Sequence, residues 1–375
     1  MSRAVETAGS VLIYVASDFL GDGLVKLPFV RALRNAYPEA RITWLAGKGI
    51  SAYAHGLAPL VRGLVDEVVE EAGVGRNWHE LTRPALAGTP LAGRRFDLVI
   101  DTQRRVGTTL LLRRIPHGCF ISGAGDYLLS DRRPPRPRRK ASSLARRLLA
   151  LLELASGRPA DIAGAPPPDR EADGLATRLL PEGKVYVGLA PGAAADQRRW
   201  PLERYLQLAE AQVASGRTPV FFLGPEEGRW AMPVREAIPE AMLPLQAEAV
   251  APLGPSPLVT VALARRLAAA VANDAGIGHM LAAAGCPLVS LFGPTPPEKS
   301  APLVAAGRVL RAHDFEAEHL AGQQAGDAME RIPVAAVSEA VESLLREPSP
   351  RKQLEGLAAR ARPAGESRPR GREAR

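Results

Sequence analysis

Apolar positions along the chain follow two alternating rhythms. Short, nearly continuous runs such as "VLIYVA" read as buried strands at 11–16, 41–46, 65–69, 96–101 and 117–122 in the first half. Between them lie stretches with helical spacing; in "LVKLPFVRALRNA" (24–36), Leu24, Leu27, Val30 and Leu33 fall on one face. The rhythm restarts in the second half. Strands are predicted at 185–190, 218–223, 269–273 and 287–292, helices at 201–214, 257–268 and 276–284, and a closing helix at 334–346. Strands that alternate with helices argue for parallel α/β architecture.

Two such series suit a chain of 375 residues, long enough for two cores. The stretch "GRPADIAGAPPPDREADG" (157–174) is punctuated by proline and glycine and reads as a connection. The predicted organisation is a first domain over 1–160, a linker over 161–182, a second domain over 183–346 and a basic, unstructured tail over 347–375. No apolar run reaches the roughly 18–20 residues of a membrane helix, and "VLIYVA" followed by Asp18 and Asp22 reads as a strand, not a signal peptide. Two distant cysteines, Cys119 and Cys286, make no disulfide framework and suit a reducing cytoplasm.

The net charge of +8 is uneven. Residues 131–147 hold eight basic residues and one acid, and the tail holds eight and four, so the remaining body is slightly acidic. A nucleic-acid-binding protein would carry its basic residues on the folded face as well, so that class is disfavoured.

Four segments carry candidate chemistry, each at the carboxyl end of a predicted strand, where open α/β sheets bind ligands. In "ASDFLGDGLVKLP", Gly21-Asp22-Gly23 follows the first strand; Lys26 occupies the third glycine position of a dinucleotide fingerprint, which argues against a dehydrogenase. Spacing leaves Asp22 open as a helix N-cap or as a base. In "APGAAADQRRWP", small residues after Pro191-Gly192 allow close backbone approach, and Arg198 or Arg199 supplies planar donors for phosphate oxygens. In "FLGPEEG", Glu226 and Glu227 are placed to accept from sugar hydroxyls or to occupy a first helical turn. In "NDAGIGHM", Asp274, Gly276, Gly278 and His279 crowd a strand-to-helix turn, whose free N–H groups attract anions. No second histidine lies near His279 in the sequence, so no metal site is expected there.

In this order, with "FDLVIDTQ" between them, these segments resemble the heptosyltransferases of glycosyltransferase family 9, which build lipopolysaccharide cores. The resemblance covers most of 10–346 and implies a GT-B fold, two Rossmann-like domains facing across a cleft. It implies inverting transfer with no metal or other cofactor, from ADP-heptose to an anionic glycolipid acceptor. It assigns the general base to Asp22 and donor binding to Gly192, Arg198, Glu226 or Glu227, Asp274, Gly276, Gly278 and His279. Two departures stand out. The loop reads Ala193-Ala194-Ala195 where the family commonly has a hydroxyl residue, and Lys26 replaces a usual threonine, where it would act on Asp22 or on an anionic acceptor. On the acceptor side, Lys26, Gln103, Arg136, Arg138, Arg139 and Lys140 are the candidates, the last four within a segment suited to an anionic membrane surface. The expected location is cytoplasmic, peripheral on the inner face of the inner membrane.

Overall fold

The computed structural model describes residues 4–75, 86–135, 143–164, 167–253, 256–315 and 328–347. Ten strands form two parallel five-stranded sheets. The first contains β1 (Ser10–Val15), β2 (Arg41–Ala46), β3 (Glu67–Val69), β4 (Phe96–Asp101) and β5 (His117–Ser122) in the order β3-β2-β1-β4-β5. The second contains β6 (Tyr186–Ala190), β7 (Thr218–Phe221), β8 (Leu267–Asn273), β9 (Leu288–Phe292) and β10 (Gly307–Arg311) in the order β10-β9-β8-β6-β7. Each order reverses once, between β1 and β4 and between β6 and β8. These are the points where a doubly wound sheet opens a crevice.

Both faces of each sheet are covered, which is why the strands read as unbroken apolar runs. Along β1, Val11, Ile13 and Val15 enter the core shared with the helices α1 (Leu20–Ala36) and α4 (Leu144–Ser156), whereas Leu12 and Tyr14 pack on the opposite face with Val99 and Phe120. In the second sheet, Val187, Leu189, Val271 and Leu291 pack under α6 (Leu202–Ala214) and α11 (Val334–Arg346). The remaining helices are α2 (Ala58–Val61), α3 (Val106–Leu112), α5 (Arg170–Leu179), α7 (Ala231–Ala237), α8 (Pro257–Ala264), α9 (Gly276–Ala283) and α10 (Pro297–Ser300).

The core around α1 continues through α9 into the second sheet, so α1 is the element on which the two halves meet. Arg31 fixes that contact. Its Nη1 donates to the carbonyl of Gly164 at 3.0 Å and its Nη2 to the carbonyl of Ala283, the last residue of α9. Burial lowers its pKa to about 10, with Arg265 adding to the effect.

Strand β10 is unexpected, and β3 and β7 are shorter than expected; three helices also differ from the sequence expectation. Helix α1 begins at Leu20, four residues before the apolar periodicity does. Helix α5 lies inside the stretch read as a linker: Asp169 accepts from the backbone N–H groups of Glu171 and Ala172, and Arg265, the C-cap of α8, binds Asp173 at 2.8 Å. Helix α8 ends at Ala264, and strand β8 takes over from Leu267.

Candidate active site

The first half of the site is built on the turn after β1. Asp18 is fully buried and bridges to Ser51 through backbone bonds from Asp18 N–H to Ile50 (3.0 Å) and from Ala52 N–H to Asp18 (2.9 Å). Its carboxylate accepts from Lys26 Nζ, from Trp44 Nε1 at 2.8 Å and from Ser51 Oγ at 3.3 Å. Gly23 lets α1 settle against the segment after β2, because a Cβ there would stand 2.6 Å from a Leu57 methyl, and its carbonyl accepts from Tyr53 Oη at 2.8 Å. On this anchored turn Asp22 is exposed, and among the described residues its carboxylate has no hydrogen-bond or ion-pair partner. The helix N-cap is Phe19, so Asp22 is not a cap but a first-turn acid.

Lys26 requires a correction. It sits one turn below Asp22, but the residue is only 5% exposed and its side chain is engaged by Asp18, so it faces neither Asp22 nor an acceptor. At the end of β4, Asp101 is buried and accepts from Thr109 Oγ1 (2.6 Å), Ser122 Oγ (2.9 Å) and the Gln103 N–H (2.8 Å). Burial outweighs these bonds and raises its pKa to about 6. Asp101 thereby holds the turn that carries Gln103, which is half-buried at the same strand edge. Arg136, Arg138, Arg139 and Lys140 lie outside the described residues.

The second half is organised by Asn273, a residue of the NDAGIGHM motif to which the sequence alone assigns no role. Its Nδ2 donates to the Pro191 carbonyl at 2.8 Å, and its Oδ1 accepts from Trp200 N–H (3.2 Å) and Tyr205 Oη (3.1 Å). The end of β8 is thus pinned to the loop that follows β6. Within that loop Arg199 is structural: it ion-pairs with Asp196, donates to the Ala193 carbonyl at 2.7 Å and stacks 5.6 Å from the Trp230 ring. Arg198 instead points to Asp274, with Nη1 3.6 Å from Oδ2. That Oδ2 is buried without a hydrogen bond, while Oδ1 accepts from Ser300 Oγ at 2.9 Å.

Geometry also separates the two glutamates. Glu227 folds back so that Oε2 accepts from the Gly224 N–H at 3.1 Å, and its Oε1 lies 2.7 Å from where a Cβ on Gly192 would stand. Glu226 is exposed. The missing side chain of Gly192 is therefore the seat of Glu227. At the start of α9 the N-cap is Ala275, with no side-chain capping bond, so Asp274 is not a cap either. The N–H of Gly278 donates to the Ala275 carbonyl at 3.1 Å, which removes it from the anion-binding set and leaves that function to the amides of Gly276 and Ile277. His279 is half-buried; burial lowers its pKa to about 4, opposed by the Asp274 carboxylate and a bond to the Ser300 backbone.

The two halves face each other here. Leu24, two residues beyond Asp22, reaches within 4.0 Å of the position of a Cβ on Gly276, and it lines a small cavity with Pro28, Arg31, His279 and Ala283. One exposed acid on α1 is thereby set opposite an arginine, an acid and two open amides at the end of β8.

The sequence model of glycosyltransferase family 9 (heptosyltransferase) matches residues 87–329. The chain belongs to glycosyltransferase family 9. Within that family it is 33% identical over 142 residues to lipooligosaccharide heptosyltransferase 2 of Haemophilus influenzae, covering 37% of this chain and 40% of that relative. It is 32% identical over 138 residues to lipopolysaccharide heptosyltransferase 2 of Escherichia coli, covering 35% and 38%. The chain thus matches well under half the length of these relatives. In fold the likeness is wider. A family 9 glycosyltransferase from Veillonella parvula superimposes with a TM-score of 0.63 at 22% identity, over 91% of this chain and 98% of that one. E. coli heptosyltransferase WaaC with ADP gives 0.59 at 20% identity, over 89% and 99%. The expected GT-B arrangement of two Rossmann-like sheets is therefore the fold of this family 9 chain.

Proposed function

We propose that this family 9 protein is an inverting, metal-independent transferase that moves heptose from ADP-heptose to a lipopolysaccharide core or a related glycolipid acceptor. The observation that carries the reading is the exposed Asp22 carboxylate on the first turn of α1, without a partner among the described residues and set against the half that holds Arg198 and Asp274. Asp22 takes the proton from the acceptor hydroxyl as that oxygen attacks the anomeric carbon. The nucleoside diphosphate leaves from the opposite face of the sugar. Arg198 and the Gly276 and Ile277 amides stabilise the charge that grows on the leaving phosphate, positioned before the reaction begins. Glu227 accepts from the ribose hydroxyls, and Asp274, whose Oδ2 pairs with Arg198 but takes no hydrogen bond, accepts from those of the heptose. His279, neutral at pH 7, packs behind the helix start. The acceptor enters over the first sheet beside Gln103, and the basic residues of the sequence segment that includes Arg136 and Lys140 receive its anionic groups.

The location that follows is cytoplasmic and peripheral on the inner face of the inner membrane. Among the described residues no helix is long and apolar enough to cross a membrane.

The test begins with thermal stability in ADP, UDP, GDP or no ligand. At about 100 times its dissociation constant a ligand adds roughly 2.7 kcal/mol. Selective stabilisation by ADP is expected, followed by transfer from ADP-heptose. In the Asp22→Asn protein, turnover should drop by about 10²–10⁴-fold while ADP binding is kept. A preference for UDP or GDP would change the donor. Equal loss of binding and turnover in Asp22→Asn would remove the base. Stabilisation by ADP without transfer would identify a nucleotide-sugar-binding protein whose alanine loop, Ala193–Ala195, no longer supports catalysis.

A further inference from the structure

The exposed large apolar side chains are concentrated on one edge. Among the described residues, Phe19, Leu20, Ile50, Val106, Leu110 and Leu128 all lie on connections leaving the carboxyl ends of strands of the first sheet, and only Val185, Met232 and Val309 lie elsewhere. The strand order sets them in a row: Ile50 after β2, Phe19 and Leu20 after β1, Val106 and Leu110 after β4, Leu128 after β5. The β4–β5 end is one patch. Leu128 and Val106 come to 3.7 and 3.9 Å of the same point, the position of a Cβ on Gly125, and Leu110 is one turn from Val106 on the same face of α3. Leu128 is 65% exposed and Val106 49%.

Charge on the same stretch of chain is predominantly positive. Residues 104–147 contain twelve arginines and lysines and two aspartates, more than enough to account for the net +8 of the chain. Arg104, Arg105 and Arg133 are exposed beside the patch, and Arg133 Nη2 donates to the Leu128 carbonyl at 3.1 Å, which places a guanidinium next to the most exposed leucine. Apolar tips flanked by a majority of arginines match a bilayer interface, where side chains enter the acyl boundary and cations meet anionic headgroups.

We propose that this edge docks the protein on the surface of an anionic bilayer, with Val106, Leu110 and Leu128 inserted and Arg104, Arg105 and Arg133 against lipid phosphates. The inference rests on a lipid-linked acceptor only for its purpose, since docking here would turn the cleft beside Asp22 toward the membrane that holds the acceptor; the binding itself stands apart from the reaction.

Sedimentation with vesicles of phosphatidylethanolamine and phosphatidylglycerol tests it on the full chain, with the double variant Val106→Ser, Leu128→Gln alongside. Both positions are exposed, so the variant should keep its melting temperature. Wild-type protein is expected to bind these vesicles, to bind purely zwitterionic vesicles far less, and to be released as salt rises. The variant should bind about tenfold or more weakly, the loss expected from withdrawing two partly inserted apolar side chains. Equal binding by variant and wild type would overturn the proposal, because the basic segment alone would then hold the protein. So would absence of vesicle binding, or a wild-type oligomer that the variant dissociates, which would make the patch a contact between copies. Transfer to a water-soluble acceptor fragment, measured in parallel, should be the same in both proteins. Loss of that reaction in both, with vesicle binding intact in wild type only, would sink the transferase reading and leave the docking surface standing.

Discussion

Replacing Lys26 by methionine keeps the side-chain length of a residue that is 5% exposed and removes its charge. The Asp18 carboxylate, with no exposed surface, would keep its bonds from Trp44 Nε1 at 2.8 Å and Ser51 Oγ at 3.3 Å but lose its one counter-ion among the described residues. Breaking a buried ion pair from one side costs about 3–5 kcal/mol, because the remaining charge stays desolvated. That is a large share of the ~5–15 kcal/mol that holds a typical domain folded. The same reasoning predicts strong coupling. In the double variant Asp18→Asn, Lys26→Met, the amide oxygen still faces Trp44 but no charge is stranded, so the double change should cost less than the sum of the singles by about 1.5 kcal/mol or more. Urea unfolding followed by tryptophan fluorescence reads this directly, since Trp44 touches the pair. Because Asp18 anchors the turn that leads to Asp22, each single variant should also lower kcat more than it lowers ADP affinity. Additive costs, or a Lys26→Met protein within about 0.5 kcal/mol of wild type, would refute the claim that this pair anchors the turn.

Gly192→Ala should push Glu227 from its seat, where Oε1 and Cδ stand 2.7 and 2.8 Å from the new Cβ, and weaken ADP binding about tenfold by calorimetry with little change in melting temperature. Asp101 has a folded pKa near 6, above its unfolded value, so the native state holds that proton longer and the carboxyl costs stability as pH rises from about 4 to 6. Asp101→Asn should flatten this fall, seen as a melting temperature that improves relative to wild type across the same interval. His279 has the opposite slope: its folded pKa near 4 lies below the unfolded value, so stability is lost as pH drops from about 6.5 toward 4. Its ring resonances should show no titration between pH 5.5 and pH 8 by NMR.

The strands of the first sheet were legible because both faces are covered, which writes them as continuous apolar runs; β2, β4 and β5 match their expected limits. Strand β10 escaped notice because it is an edge strand, with no residue of "GRVLR" buried, so burial leaves no apolar signature. Helix α5 is hidden by composition: its buried face consists of Ala172, Leu175 and Ala176, and proline and glycine surround it. At the site, the four strand-end motifs were visible as sequence. What their side chains do was not, because it depends on partners distant along the chain. Lys26 looked like a ligand-facing cation until Asp18 and Trp44 met it. Glu226 and Glu227 became distinguishable only through the empty side of Gly192. Gly278 looked like an anion donor until its amide was found bonded to Ala275.

Helix α1 carries Asp22 near one end and Arg31 nine residues on, about 14 Å along its axis at 1.5 Å per residue. Arg31 is clamped to the last residue of α9, so the two halves are joined by a lever whose fulcrum is at the arginine and whose working tip is the candidate base. Turning that lever by about 10° would sweep the tip through roughly 2.4 Å, and a displacement of even 1 Å is enough to cost on the order of a hundredfold in rate. The angular tolerance for chemistry is then about 4°. Pro28 lies between fulcrum and tip and removes a rung of the helical ladder, which makes it the point of least bending stiffness. The aim of the candidate base therefore depends on two holds at once, the Asp18–Lys26 pair at the tip and the Arg31 guanidinium on the far half, the second amplified by helix length.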